Sequence, residues 1–210
     1  MENLLIAFIW LLNFAISWWN AYACGKVWAE TKSAGGWPRF MTWMGAIMSA
    51  SGFTWCFLLP MVLGANHFAW LDAEATKVAF ELGYILIVPA VLFSGFMIMV
   101  DSWAQAYRNG GVLNYGVAAY NTYAQVHNTM SAIETLGGAL KDVGSFMGDA
   151  FSGDSEDSAK GAAGLIVLLL VVLAAAMGII LTTTIIRKSA ASEVLLTRDE
   201  MEARRMRKAV

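Results

Sequence analysis

The sequence predicts an all-α, multi-pass integral membrane protein with four transmembrane helices and a long amphipathic Gly/Ala-rich helix that offers a fifth crossing. Three observations carry this. Of 210 residues, 58% are hydrophobic and 14% charged, whereas soluble domains average roughly 25% charged residues. Charge is missing from long apolar runs, each long enough for a bilayer core. Nine Trp and twelve Met accompany the runs; Trp favours the membrane–water boundary and Met fills irregular apolar gaps. The net charge of −2 comes with no gathered basic reading surface, so nucleic acid is not an expected partner.

The first apolar segment covers residues 4–23. "AYAC" at 21–24 has the look of a cleavage site, but Glu2 is the only early charge where a signal peptide needs a basic start, so a retained helix is expected. Asn13, Ser17 and Tyr22 within it suit interhelical hydrogen bonds. Residues 24–40 read as a polar connection with Lys26, Lys32 and Arg39. "GGWP" at 35–38 is a turn signal, with Pro38 opening the next helix.

The second segment covers 41–63. Gly45 with Ser49, and Ala46 with Ala50, repeat small residues every four positions, which lets membrane helices approach closely. Pro60 should bend or end this helix. Cys24 and Cys56 would lie about four helical turns apart in a hairpin, too far for a disulfide, and read as free thiols.

A loop at 65–77 precedes the third segment, 78–100, which contains Glu81 and Pro89. A carboxylate in a span is a functional candidate by default. Lys77 stands four residues before Glu81, so a Lys-paired or snorkelling carboxylate is the competing reading. Residues 1–101 thus form a three-helix membrane region.

Residues 102–151 read as one long amphipathic helix. Steps of four and three from Val112 pass through Gly116, Ala119, Tyr123, Val126, Met130, Ile133, Gly137, Leu140, Gly144, Met147 and Phe151. Such a seam favours close contact with another helix. Asn114, Asn121, Gln125, Asn128 and Thr135 gather on a different face as candidates for lining water or a buried polar contact.

Residues 152–161, "SGDSEDSAKG", read as an acidic flexible linker. The fourth apolar segment, 162–186, carries Ala174-xxx-Gly178, again a close-packing spacing. The tail, 187–210, is basic, and "TRDE" at 197–200 suggests the start of a short surface helix.

Charge placement exposes the unusual stretch. With four crossings, Lys and Arg divide eight against six between the two sides. If residues 109–133 also cross, the first loop, Arg108 and the tail share one side, giving eleven against three. The positive-inside rule then favours a cytoplasmic tail. The competing reading is an amphipathic helix lying on the membrane or in a soluble bundle.

No phosphate loop, zinc spacing or nucleophile elbow is present, and His67 and His127 are poorly spaced for a haem. No catalytic residue, metal site or cofactor is therefore expected. The expected function is non-enzymatic: a self-assembling subunit forming a pore, channel or transmembrane scaffold. Its partners would be the lipid bilayer and further copies or other membrane subunits. A structural component without conduction, and the membrane anchor of a redox or lipid-active enzyme, are the alternatives.

Overall fold

A computed structural model describes residues 2–30, 36–151 and 158–208, with side chains described for 4–30, 36–151 and 159–194. The regular elements among them are helices: α1 (Glu2–Glu30), α2 (Gly36–His67), α3 (Ala73–Asn109), α4 (Val112–Phe151) and α5 (Ser158–Lys208). Four are long and apolar enough to cross a membrane: α1, α2, α3 and, over Ala159–Val194, α5. The chain is an all-α, multi-pass membrane fold. From Ala73 to Trp103 alone, α3 extends about 45 Å at ~1.5 Å per residue, the thickness of a bilayer with its headgroup regions.

Hydrogen bonds fix the helix directions. Trp10 Nε1 donates to the Cys56 carbonyl (2.8 Å) and Asn20 Nδ2 to that of Gly45 (3.1 Å), so α1 and α2 are antiparallel. Ser189 Oγ donates to the Tyr22 carbonyl (2.7 Å) and Lys26 pairs with Glu193 at 3.7 Å, so α1 and α5 are parallel. The last turns of α1, the α3–α4 turn and the C-terminal part of α5 therefore share one end. Lys26, Arg39, Arg108, Arg187 and Lys188 make it the basic end. The start of α1, the α2–α3 turn and the end of α4 lie opposite.

Leu58, Val62, Leu71, Val78, Phe146, Val167 and Val171 form a core toward the opposite end. Ala21, Phe53 and Ile185 form a smaller one toward the basic end. Exposed Leu5, Phe8, Ile9, Phe93, Leu169 and Ile180 leave an apolar outer surface suited to lipid. Both cysteines are free and buried; Asn13 Nδ2 reaches Cys56 Sγ at 3.3 Å.

Several boundaries differ from those expected. The first helix runs on to Glu30, through part of the expected 24–40 connection, because nothing from 24 to 30 breaks a helix. Gly25 is instead a contact point, where an added Cβ would lie 2.5 Å from the Ile186 carbonyl. Helix α2 continues past Pro60 to His67. The third helix extends to Asn109, so the break before the amphipathic helix falls at Gly110–Gly111 and not after residue 101. Residues 158–161 of the expected linker belong to α5, and 152–157 lie outside the described residues. The expected helix start at Thr197 is absent: α5 continues to Lys208 as one 51-residue helix, with no Gly or Pro after Gly178 to interrupt it.

Candidate functional site: the polar helix against its apolar neighbour

Helix α4 follows α3 after two residues in left-handed backbone, Gly110 (φ 65°) and Gly111 (φ 86°). A side chain is disfavoured at such angles. Asn114 Nδ2 donates to the Gly110 carbonyl at 2.6 Å and closes the turn. The chain thus reverses at once, and α4 runs antiparallel along nearly the whole of α3.

Three polar contacts mark the register. Near the turn, Trp103 Nε1 donates to Thr122 Oγ1 (2.9 Å). Midway, Gln125 Nε2 donates to the Leu92 carbonyl (2.9 Å). At the far end Lys77 Nζ pairs with Asp142 (2.5 Å), and also with Glu81 at 3.5 Å. The part of α4 beside the apolar run 78–100 is therefore about residues 122–141. The expected stretch, 109–133, is displaced: its first residues belong to α3, the turn and the basic end.

The face of α4 toward its neighbours carries Ala118, Thr122, Gln125, Thr129, Ala132, Ala139, Val143 and Phe146, half-buried or buried. Small and hydroxyl side chains let α3 approach. Gln125 fits because Gly95 stands opposite; a Cβ there would collide with Gln125 Oε1. Thr122 and Thr129 return their hydroxyl protons to their own helix, at the Ala118 and Gln125 carbonyls (2.8 and 2.7 Å).

The expected polar group is thus divided. Gln125 is taken into the α3 contact and Asn114 into the turn. Asn121 is half-buried on the flank, while Asn128 and Thr135 are exposed. From Val112 to Gly144 the expected seam faces away from the other described helices, whereas Met147 packs against the core and Phe151 lies beside Gly164 of α5. Tyr123, Val126, Met130, Ile133 and Leu140 are exposed, and an added Cβ at Gly116, Gly137 or Gly144 would meet nothing within 4 Å. Two parallel 3,4 repeats lie on one helix, and α3 takes the other. Glu134 and His127 also point outward, His127 stacked on Tyr123 with ring centroids 6.1 Å apart.

Glu81 lies one turn inside the expected third span, its side chain 19% exposed and paired with Lys77. With Asp142 it forms a cluster that staples α3 to α4; spacing made only the Lys77–Glu81 half legible. Gly45, Ser49, Ala174 and Gly178 lie at helix crossings. Gly45 meets Cys24 and Asn20, and Ser49 and Ala174 are fully buried. At Gly178 an added Cβ would lie 2.7 Å from the Ala50 carbonyl and 2.8 Å from the Thr54 nitrogen. Trp103–Thr122 and Gly95–Gln125 had no linear signal, since each partner looks ordinary in its own helix.

Compared with known proteins, the chain matches no family model, no curated protein and no solved structure.

Proposed function

We propose that this chain is a non-enzymatic membrane subunit that crosses the bilayer five times and self-assembles through the outer face of α4. The observation that carries the reading is the set of polar groups beside the apolar run of α3. There α4 turns Asn128, Glu134 and Thr135 outward, with open space at Gly137 and Gly144. A charged side chain at the bilayer centre costs about 2.5–3.5 kcal/mol on insertion scales. A neighbouring copy or a water-filled path relieves that cost, and the glycines permit close approach. Copies arranged around this face would form a pore with a weakly charge-selective lining. The positive-inside rule favours a cytoplasmic basic end, with eleven Lys and Arg against three.

A scaffold without conduction is the second reading, favoured by Gln125: its amide already donates to Leu92, which leaves fewer groups for a lumen. Ion flux in liposomes separates the two. The primary test is the oligomer count in detergent and in native lipid. An added Cβ at Gly137 or Gly144 meets nothing within 4 Å, so Gly137→Leu and Gly144→Leu should leave the monomer folded and reduce the oligomer fraction. Overpacking at a tight contact typically costs ~1–3 kcal/mol. Ala176→Leu, on an exposed face of α5, is the control. Equal light-scattering masses for all three variants and the parent would remove this face from assembly.

Five crossings also fix sidedness. Single cysteines at Ser33, Ser155 and Ser192 in a Cys24→Ala, Cys56→Ala background should react with an impermeant maleimide in a set pattern. Ser33 and Ser192 should label from one side and Ser155 from the other. Agreement of Ser155 with Ser33 would mean that α4 does not cross.

A further inference from the structure

Helices α2 and α5 touch at Gly178, against Ala50 and Thr54. From there toward the basic end they enclose, with Trp28 of α1, a groove of about 430 Å³. Its α2 side includes Ala46 and Ala50, whose small side chains leave room between the helices. Its mouth holds exposed Trp43 and Arg187. Trp28 and Trp43 meet edge to face, with centroids 5.9 Å apart, and the Arg39 guanidinium lies over the Trp28 ring at 5.1 Å. Aromatic rings beside cations are the side chains that settle at headgroup level.

Thr182 supplies an independent sign of a ligand. It lines the groove, is only 2% exposed, and its hydroxyl has no hydrogen-bond partner among the described residues. A buried hydroxyl left unpaired in an apolar setting is costly. Arg187 stands five residues further along α5, about 7.5 Å at ~1.5 Å per residue. A glycerophospholipid has a similar layout: an anionic phosphate, ester carbonyls one step deeper, then an acyl chain. Among the described residues no carboxylate lines the groove.

We propose that this groove holds one anionic phospholipid, with its phosphate at Arg187, an ester carbonyl accepting from Thr182 Oγ1, and an acyl chain between α2 and α5. A soluble phosphate would have no use for the apolar length. A zwitterionic lipid carries the same phosphate but offsets it with its own ammonium, which weakens its pairing with Arg187. The site lies away from the outer face of α4, so it stands or falls separately from the assembly reading.

The test is native mass spectrometry of the purified full chain, delipidated and then offered phosphatidylglycerol or phosphatidylcholine of matched chains. The parent should retain one phosphatidylglycerol with about fivefold preference, the worth of one Arg near an anionic lipid surface. Arg187→Gln should abolish the preference while still binding lipid, and Lys188→Gln, outside the groove, should preserve it. Ala46→Leu, which fills the groove, should lose retention of both lipids. Thr182→Val should weaken retention without changing headgroup preference. Circular dichroism and monodispersity qualify each variant as folded; Arg187→Gln is a surface change and keeps the test available if Ala46→Leu fails that check. Equal retention of the two lipids by the parent, unchanged preference in Arg187→Gln, or displacement by soluble glycerol phosphate would overturn the proposal.

Discussion

Replacing Gly178 by leucine is expected to be the most damaging single change in the bundle. The atoms facing it are Thr54 Oγ1, 2.5 Å from an added Cβ, the Ala50 carbonyl, at 2.7 Å, and the Thr54 nitrogen, at 2.8 Å. The last two belong to the backbone of α2, which cannot turn aside as a side chain can. Even Gly178→Ala forces α2 and α5 apart. Leucine at this crossing should cost at least the ~1–3 kcal/mol typical of overpacking. It should also open the interface around Val167, Val171 and Ala174, which all lie in the same core. The measurement is the unfolding midpoint in mixed micelles, with the monodisperse fraction after extraction. Ala176→Leu, two residues away but exposed, should leave both within error. Equal midpoints for the two leucine variants would mean that the α2–α5 approach is loose enough to absorb a side chain.

Gly178 also marks what the sequence makes legible. Its spacing from Ala174 within an uncharged run identifies a close-packing face without knowledge of the partner. The four apolar spans are legible for a similar reason: each records its surroundings in its own composition. Helix ends are less so. Residues 24–30 leave the apolar run but contain no breaker, so α1 continues to Glu30 beside α5, where Lys26 meets Glu193. Gly110–Gly111 is a plain turn signal, yet the 3,4 pattern that follows is strong enough to be extended backward across it. The faces of α4 are the least legible. Two repeats of small and apolar residues run side by side, and periodicity alone cannot say which one meets α3. The choice depends on Gly95, thirty positions upstream of Gln125, whose missing side chain makes room for the amide. No reading of α4 by itself contains that information.

Gln125→Glu tests this assignment, and its effect should be large. In the parent, Nε2 donates to the Leu92 carbonyl at 2.9 Å and lies 3.4 Å from Thr129 Oγ1. An ionised carboxylate has no proton to donate and would face a carbonyl oxygen beside the apolar run of α3. Leaving a charge buried and unpaired costs several kcal/mol, so the α3–α4 pair should loosen in the monomer before assembly is reached. A protonated carboxyl can still donate to Leu92. Ionisation removes that donor, so the variant's stability should fall as pH rises. Acid should restore the variant toward the parent, whose own α3–α4 contact at this point does not titrate. Asn128→Asp, on the exposed face of the same helix, is the matched change, and the two variants answer different questions. If water reaches the outer face, Asn128→Asp keeps the oligomer and shifts reversal potential toward cations. If copies pack there dry, it lowers the oligomer fraction while the monomer stays folded. Should Gln125→Glu instead match the parent in stability from acid to alkaline pH, the amide is solvated, and the outward assignment of the Asn128 stripe loses its basis.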